Sequence, residues 1–135
     1  MMTSKKLIYI AGPTGIGKTE LSIKIAQKLK TEIISCDSRQ FFKELKIGTS
    51  PPSLEQLDAV KHHFIHHKSI HDDYNVGKFE KDAINLIDSL FLNYDNLILV
   101  GGSGLYADSI LYGIDKFPII PMATKNIINK KYKEK

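Results

Sequence analysis

Three short stretches of this chain, residues 7–11, 32–36 and 97–100, are rich in Ile, Leu and Val and show no polar alternation. That pattern predicts strands buried on both faces of a parallel sheet. Between them the apolar period shifts to that of a helix. Leu21, Ile25 and Leu29 fall on one face with Ala26 beside them. Phe79, Ala83, Leu86, Ile87, Leu90 and Phe91 form a broader stripe at the same period. A third helix is predicted over 105–111, presenting Ala107, Ile110 and Leu111. Strands alternating with helices in this order predict an α/β fold with a doubly wound parallel sheet. Residues 46–77 break the pattern with Gly48, Pro51-Pro52, five histidines and Asp72-Asp73. They are expected to form a long loop, and a loop of that length inside a small domain is functional or partly disordered. The lysine-rich stretch 125–135 is expected to be a fraying helix. Three parallel strands make a thin sheet with exposed edges, so the core is expected to be incomplete.

Composition narrows the class only modestly. A length of 135 residues suits one domain with a real core, and 42% hydrophobic with 25% charged residues is ordinary for a globular chain. No apolar run approaches the roughly 18 residues of a membrane span, and no membrane association is expected. Met1-Met2-Thr3-Ser4-Lys5-Lys6 leads directly into the first strand, leaving no room for a signal peptide. Cys36 is the single cysteine, which precludes an internal disulfide and suits a reducing cytoplasm. The net charge of +4 hints at an acidic partner. However, Arg39 is the only arginine among 19 basic residues, whereas phosphate contacts favour arginine forks.

Chemistry enters with Gly12-Pro13-Thr14-Gly15-Ile16-Gly17-Lys18-Thr19, which fits G-x-x-x-x-G-K-[ST] at every fixed position. The first strand enters it and the first helix leaves it, as a phosphate-binding loop requires. Glycines let successive backbone N–H groups turn inward around a phosphate. The helix that follows aims its positive end at the same anion. Lys18 adds a charge to the phosphate oxygens, and the Thr19 hydroxyl is placed to ligate Mg²⁺. The fold expectation therefore sharpens to a P-loop NTPase-like sheet.

A carboxylate follows the second strand, in Asp37-Ser38-Arg39-Gln40. Ligands of open α/β sheets sit beyond the carboxyl ends of the strands, so Asp37 is expected on the same edge as the phosphate loop. Three roles remain open for it: holding Mg²⁺ through water, acting as a general base, or capping a helix. The third strand ends in Gly101-Gly102-Ser103-Gly104-Leu105-Tyr106. Many phosphate-loop NTPases carry a metal-binding Asp on a later strand. The glycines here offer N–H groups and a hydroxyl instead, which is unusual for a motor-type ATPase.

Together these segments resemble the bacterial tRNA dimethylallyltransferases, also called isopentenyl-tRNA transferases. The matching residues are Gly12 to Thr19, Asp37-Ser38-Arg39-Gln40, Ile47-Gly48-Thr49, His62-His63-Phe64-Ile65, Tyr74-Asn75-Val76 with Phe79, and Gly101-Gly102-Ser103-Gly104-Leu105-Tyr106. The phosphate loop alone is widely shared; its combination with the other two glycine- and aspartate-bearing elements is highly specific. The resemblance implies transfer of a dimethylallyl group from its diphosphate to N6 of the adenosine 3′ of the anticodon. It implies Mg²⁺ as cofactor and the tRNA anticodon stem-loop and dimethylallyl diphosphate as partners. Gly12, Pro13, Thr14, Gly15, Ile16, Gly17, Lys18 and Thr19 would then hold the diphosphate, with Thr19 on the metal. Asp37 would take the proton, and Ser103 would touch the substrate. Asp37, Ser38, Arg39, Gln40 and Ser103 would meet the flipped-out adenine of the tRNA.

Departures from the family also shape the expectation. Where many relatives carry an acid after the histidine pair, this chain has His66-His67-Lys68. On a helix, His62 with His66 and His63 with His67 would suggest zinc, but Phe64-Ile65 between them and the lack of cysteine or a well-placed acid argue against it. Family members are also much longer. Residues 1–118 are expected to be the N-terminal part of the P-loop α/β core, and 119–135 the truncated start of the next segment. The chain is therefore expected to be a fragment whose complete form is a cytoplasmic monomer. Two alternatives stand beside the transferase: an ATP-dependent small-molecule kinase, and a non-catalytic truncated product.

Overall fold

The computed structural model describes residues 5–11, 17–44, 52–102, 104–113 and 119–121. Five strands form one sheet: β1 (Lys6–Ala11), β2 (Ile33–Ser35), β3 (His62–His63), β4 (Asn96–Gly101) and β5 (Ile119–Pro121). Their order is β3-β2-β4-β1-β5, and every pairing is parallel. Four helices accompany them: α1 (Lys18–Leu29), α2 (Leu54–Ala59), α3 (Val76–Leu90) and α4 (Gly104–Gly113). A single 3-10 turn, Ser38–Phe41, follows β2.

The unbroken apolar runs are explained by where alternate residues go. Leu7, Leu97, Leu99 and Ile34 face one side, packed with Phe79, Ala83 and Ile87 of α3 and Ala107 and Ile110 of α4. Ile10, Ile98 and Ile33 face the other, packed with Ile23 and Ala26 of α1. Both faces are covered, so no polar residue is tolerated at these positions. Phe79, Ala83 and Ile87 are fully buried at successive turns of α3. Burying each of the two larger side chains stabilises the fold by about 1.5–3 kcal/mol. Asn75 caps this helix by accepting the Lys78 N–H at 3.0 Å.

Three sequence expectations need correction. The sheet has five strands rather than three, because β3 and β5 are too short to show a hydrophobic period. Residues 46–77 are not all loop. Ser53 and Gln56 form a reciprocal capping box that starts α2, with bonds of 3.1 and 2.9 Å. The buried side of α1 is shifted in part: Ser22, Ile23 and Ala26 are buried, Leu21 and Ile25 are half-buried against the same cluster as expected, and only Leu29 of that stripe is exposed, at 38%. Ser22 and Ala26 are small and one turn apart, which lets the helix approach the sheet closely. The Ser22 hydroxyl donates to the Thr19 carbonyl at 2.8 Å and so is satisfied where it is buried. Residues 119–121 pair with β1 at the edge of this sheet. The stretch 125–135 lies outside the described residues.

The edge strand β3 is held by side chains as well as by its ladder. The Glu32 carboxylate accepts from His63 Nε2 at 2.6 Å and from the Tyr94 hydroxyl at 2.5 Å. Burial would raise its pKa, but these hydrogen bonds outweigh that and hold it below the ordinary value. Beyond the end of β2, Phe41 is fully buried as the hub of a ring cluster. It stacks on Phe79 at 4.9 Å and meets Phe64, His67, Tyr74 and Tyr106 edge-on at 5.4–6.3 Å. Such pairs add about 0.5–1.5 kcal/mol each beyond their area.

Two outcomes are expected from this packing. A Cβ on Gly101 would lie 2.7 Å from Cys36 Sγ and 2.9 Å from the Asp37 nitrogen. Gly101→Ala is therefore expected to cost about 1–3 kcal/mol in denaturant unfolding, since one neighbour is backbone. An unchanged midpoint would contradict this seating. Cys36 is fully buried, and desolvation pushes its thiol up to about 12. Iodoacetamide at neutral pH is expected to label it only when denaturant unfolds the chain; rapid labelling of the native protein would refute that burial.

Candidate active site

The strand ends dictate where a ligand can sit. Ala11 lies opposite Gly101 and Ser35 opposite Val100, so β1, β4 and β2 finish at one level. Helix α1 leaves β1 on one face of the sheet and α4 leaves β4 on the other. A cleft opens where those connections diverge. Lys18, Thr19 and Ser22 of α1 form one wall, and Ser35, Asp37 and Gln40 another. Val100 and Gly101 form the floor, while Pro52, His62 and Ile65 close the cleft from the excursion between β2 and α3.

Helix α1 begins at Gly17, whose φ of 86° is left-handed and suits only glycine well. The N–H groups of the first turn have no acceptor within the helix, and together with the helix dipole they favour an anion at this end. Lys18 is half-buried beside them. Desolvation lowers its ammonium pKa, and the Asp37 carboxylate opposes that shift. The two charges thus act on each other across the cleft.

Asp37 is positioned through its backbone. The Cys36 N–H donates to the Val100 carbonyl at 2.8 Å, extending the β2–β4 ladder past the strand end. The Asp37 N–H donates to Ser35 Oγ at 3.4 Å, and the Ser35 hydroxyl donates to Gln40 Oε1 at 3.4 Å. The Asp37 carbonyl accepts the Gln40 N–H at 3.0 Å and so starts the 3-10 turn. Asp37 thus occupies a capping position and faces the cleft as well.

Of the residues singled out from sequence, Lys18, Thr19, Asp37 and Gln40 meet in this cleft, with Gly17 at its edge where α1 begins. Ser38 and Arg39 lie in the 3-10 turn, and their side chains fall outside the description. Gly12, Pro13, Thr14, Gly15, Ile16 and Ser103 lie outside the described residues.

Sequence reasoning did not assign His62, Ile65, Pro52, Ser22 and Ser35 to the cleft. The histidine pair was visible, but its role depends on backbone geometry. Residues 62–68 form a short strand and turns rather than a helix, so four-residue spacing does not align the imidazoles. The His62 Nδ1–H donates to the Val60 carbonyl at 2.8 Å, which leaves a lone pair on its buried Nε2. Burial lowers the His62 pKa, partly opposed by that bond, and favours the neutral ring. His67 lies among aromatic rings, and burial lowers its pKa as well.

Among the described residues no group of three or more His, Cys, Asp or Glu is arranged to hold a metal ion. A hydroxyl and a carboxylate at the cleft nevertheless match magnesium, which takes few protein ligands and fills its shell with phosphate oxygens and water. No described helix is long and apolar enough to cross a membrane.

The profile of the family described as IPP transferase matches residues 40–135. The tRNA dimethylallyltransferase of Flavobacterium johnsoniae is 55% identical over 130 residues, covering 96% of this chain and 42% of that protein. The tRNA dimethylallyltransferase 1 of Bacteroides fragilis is 44% identical over 131 residues, covering 97% of this chain and 44% of that protein. Among solved structures, the full-length tRNA isopentenylpyrophosphate transferase of Bacillus halodurans superposes with a TM-score of 0.76 at 36% identity. That match covers 83% of this chain and 37% of the other. A eukaryotic dimethylallyltransferase solved acting on tRNA gives a TM-score of 0.73 at 37% identity, over 78% of this chain and 26% of its own. The chain therefore spans less than half the length of these relatives. With the family profile covering most of its length and the doubly wound fold shared, the chain belongs to the IPP transferase family.

Proposed function

We propose that this chain supplies the diphosphate-binding and proton-accepting part of a tRNA dimethylallyltransferase. The reaction moves a dimethylallyl group from its diphosphate to N6 of the adenosine 3′ of the anticodon. The observation that carries the reading is the meeting of Lys18, Thr19 and Asp37 at one cleft. Cation and hydroxyl stand on the helix that receives the anion, and the carboxylate stands across from them.

The chemistry follows from those positions. The adenine N6 forms a bond to C1 of the dimethylallyl group as the C1–O bond breaks and pyrophosphate leaves. N6 is a poor nucleophile because its lone pair is delocalised into the purine. Asp37 accepts the N6 proton as the new bond forms, and such a base contributes about 10²- to 10⁴-fold. Negative charge grows on the departing pyrophosphate, where Lys18 and the start of α1 stabilise it. The loop Gly12, Pro13, Thr14, Gly15, Ile16, Gly17 would hold the same phosphates through the backbone N–H groups of its residues other than Pro13, which has none. A magnesium ion, held by the Thr19 hydroxyl together with diphosphate oxygens, would neutralise part of that charge. Ser38, Arg39, Gln40 and Ser103 surround the extruded adenine. In this reading the complete enzyme is a cytoplasmic monomer, and residues 1–118 are its core with 119–135 leading into the remainder.

Calorimetric titration of the chain in Mg²⁺ tests the reading directly. Dimethylallyl diphosphate is expected to bind more tightly than ATP; a preference for ATP would favour a kinase instead. The role of Asp37 is tested in a fusion of this chain to the remaining segment of the Flavobacterium johnsoniae relative. Asp37→Asn is expected to leave pyrophosphate affinity unchanged and to slow transfer to an anticodon stem-loop by about 10²- to 10⁴-fold. An undiminished rate would remove Asp37 as the base.

A further inference from the structure

We propose that Ile65 is a partition that sets how long an isoprenoid tail the cleft accepts; this rests on the diphosphate reading above. Two hollows meet at this side chain. The inner one is the cleft of Lys18, Thr19 and Asp37, narrow at about 30 Å³. The outer one, of about 490 Å³, lies against Leu57, Asp58 and Lys61 of the α2 region. Ile65 and His62 are the only described side chains that line both.

The partition is built under strain. Phe64 and His66, on either side of Ile65, have φ of 67° and 52°. Histidine visits this left-handed region more readily than most residues, but a bulky residue such as Phe64 found there is an outlier. Such strain persists only where the surroundings over-determine it, and it concentrates at ligand clamps. Both flanks of this turn are fixed. The Phe64 ring meets His67 at 5.0 Å, Phe79 at 5.2 Å and Phe41 at 6.3 Å. The His66 N–H donates to the Gln40 carbonyl at 2.7 Å. Ile65 is therefore held at the cleft and cannot withdraw without breaking one of these anchors.

Its chemistry is out of keeping with a ligand that is all charge. Lys18, Thr19, Asp37 and Gln40 are polar, yet a branched apolar side chain is clamped next to them. That pairing fits a ligand with a diphosphate head and a short branched hydrocarbon tail. A longer tail finds room only in the outer hollow, whose volume falls in the range of ordinary small-molecule sites. Ile65 stands in the way, so selectivity arises by exclusion as well as by contact.

The test compares pyrophosphate, dimethylallyl diphosphate and geranyl diphosphate by calorimetry on the full chain in Mg²⁺. Pyrophosphate serves as the reference for the head group. The wild-type chain is expected to favour the dimethylallyl over the geranyl compound. Ile65→Ala is expected to shift that ratio toward the geranyl compound by about tenfold, the scale set by a few methylene-sized groups in an apolar pocket. Ile65→Val, the milder change, is expected to shift it in the same direction by a smaller factor, which guards against a folding defect in the alanine variant. An unchanged ratio in both variants overturns the proposal, as does an equal loss for all three ligands. A wild-type chain that binds pyrophosphate as tightly as the dimethylallyl compound overturns the diphosphate-ester reading itself, and the proposal with it.

Discussion

The stretch from Cys36 to Phe41 is pinned at both ends, and the cleft depends on that constraint. At one end the Cys36 N–H bonds to Val100 while the chain crosses Gly101 at a distance that leaves no space for a side chain. At the other, Phe41 is seated among rings from α3, α4 and residues 62–68. Neither anchor carries the chemistry. Between them, Asp37 and Gln40 are left with little freedom, facing the first turn of α1. A carboxylate on a free loop would lose conformational entropy each time it met a ligand, whereas this one has lost it on folding.

The sheet and its two layers were legible because burial on both faces forces unbroken apolar runs, and β1, β2 and β4 each carry one. The phosphate loop and Asp37 were legible because their chemistry demands particular residues at fixed spacing. What escaped notice follows from local geometry. β3 has two residues and β5 three, too few for any period to register. Helix α2 has no buried residue, so no amphipathic stripe announces it; only its capping box, Ser53 with Gln56, could have marked it. The exposure of Leu29 was hidden because Leu21, Ile25 and Leu29 look like one stripe, of which only the first two pack against the core. Close approach to the sheet selects Ser22 and Ala26 by their small size instead.

The histidine-rich segment shows why spacing alone misleads. Four-residue separation aligns side chains only on a helix, and residues 62–68 are strand and turns. His63 is occupied by Glu32 at the edge of the sheet, His67 is enclosed by rings, and His62 alone turns to the cleft. Three neighbouring histidines thus serve three environments. For His62 and for His67, burial is the main cause that lowers the pKa.

The cleft divides its work between two kinds of sequence. Its charged end comes from the exits of strands β1 and β2, where parallel topology by itself brings a helix start and a carboxylate to one edge. Its apolar end comes from the excursion between β2 and α3, where nothing in the sheet requires Ile65 to face inward. There the chain adopts two left-handed residues and anchors each of them, Phe64 by its ring contacts and His66 by its backbone bond to Gln40. On the proposed reading, recognition of the phosphate head would be rooted in the fold, which many proteins share, and discrimination of the tail in a turn outside the sheet. Anion binding would then persist through changes that alter which tail is accepted, because Ile65 is not among the described side chains that build the core clusters of the sheet.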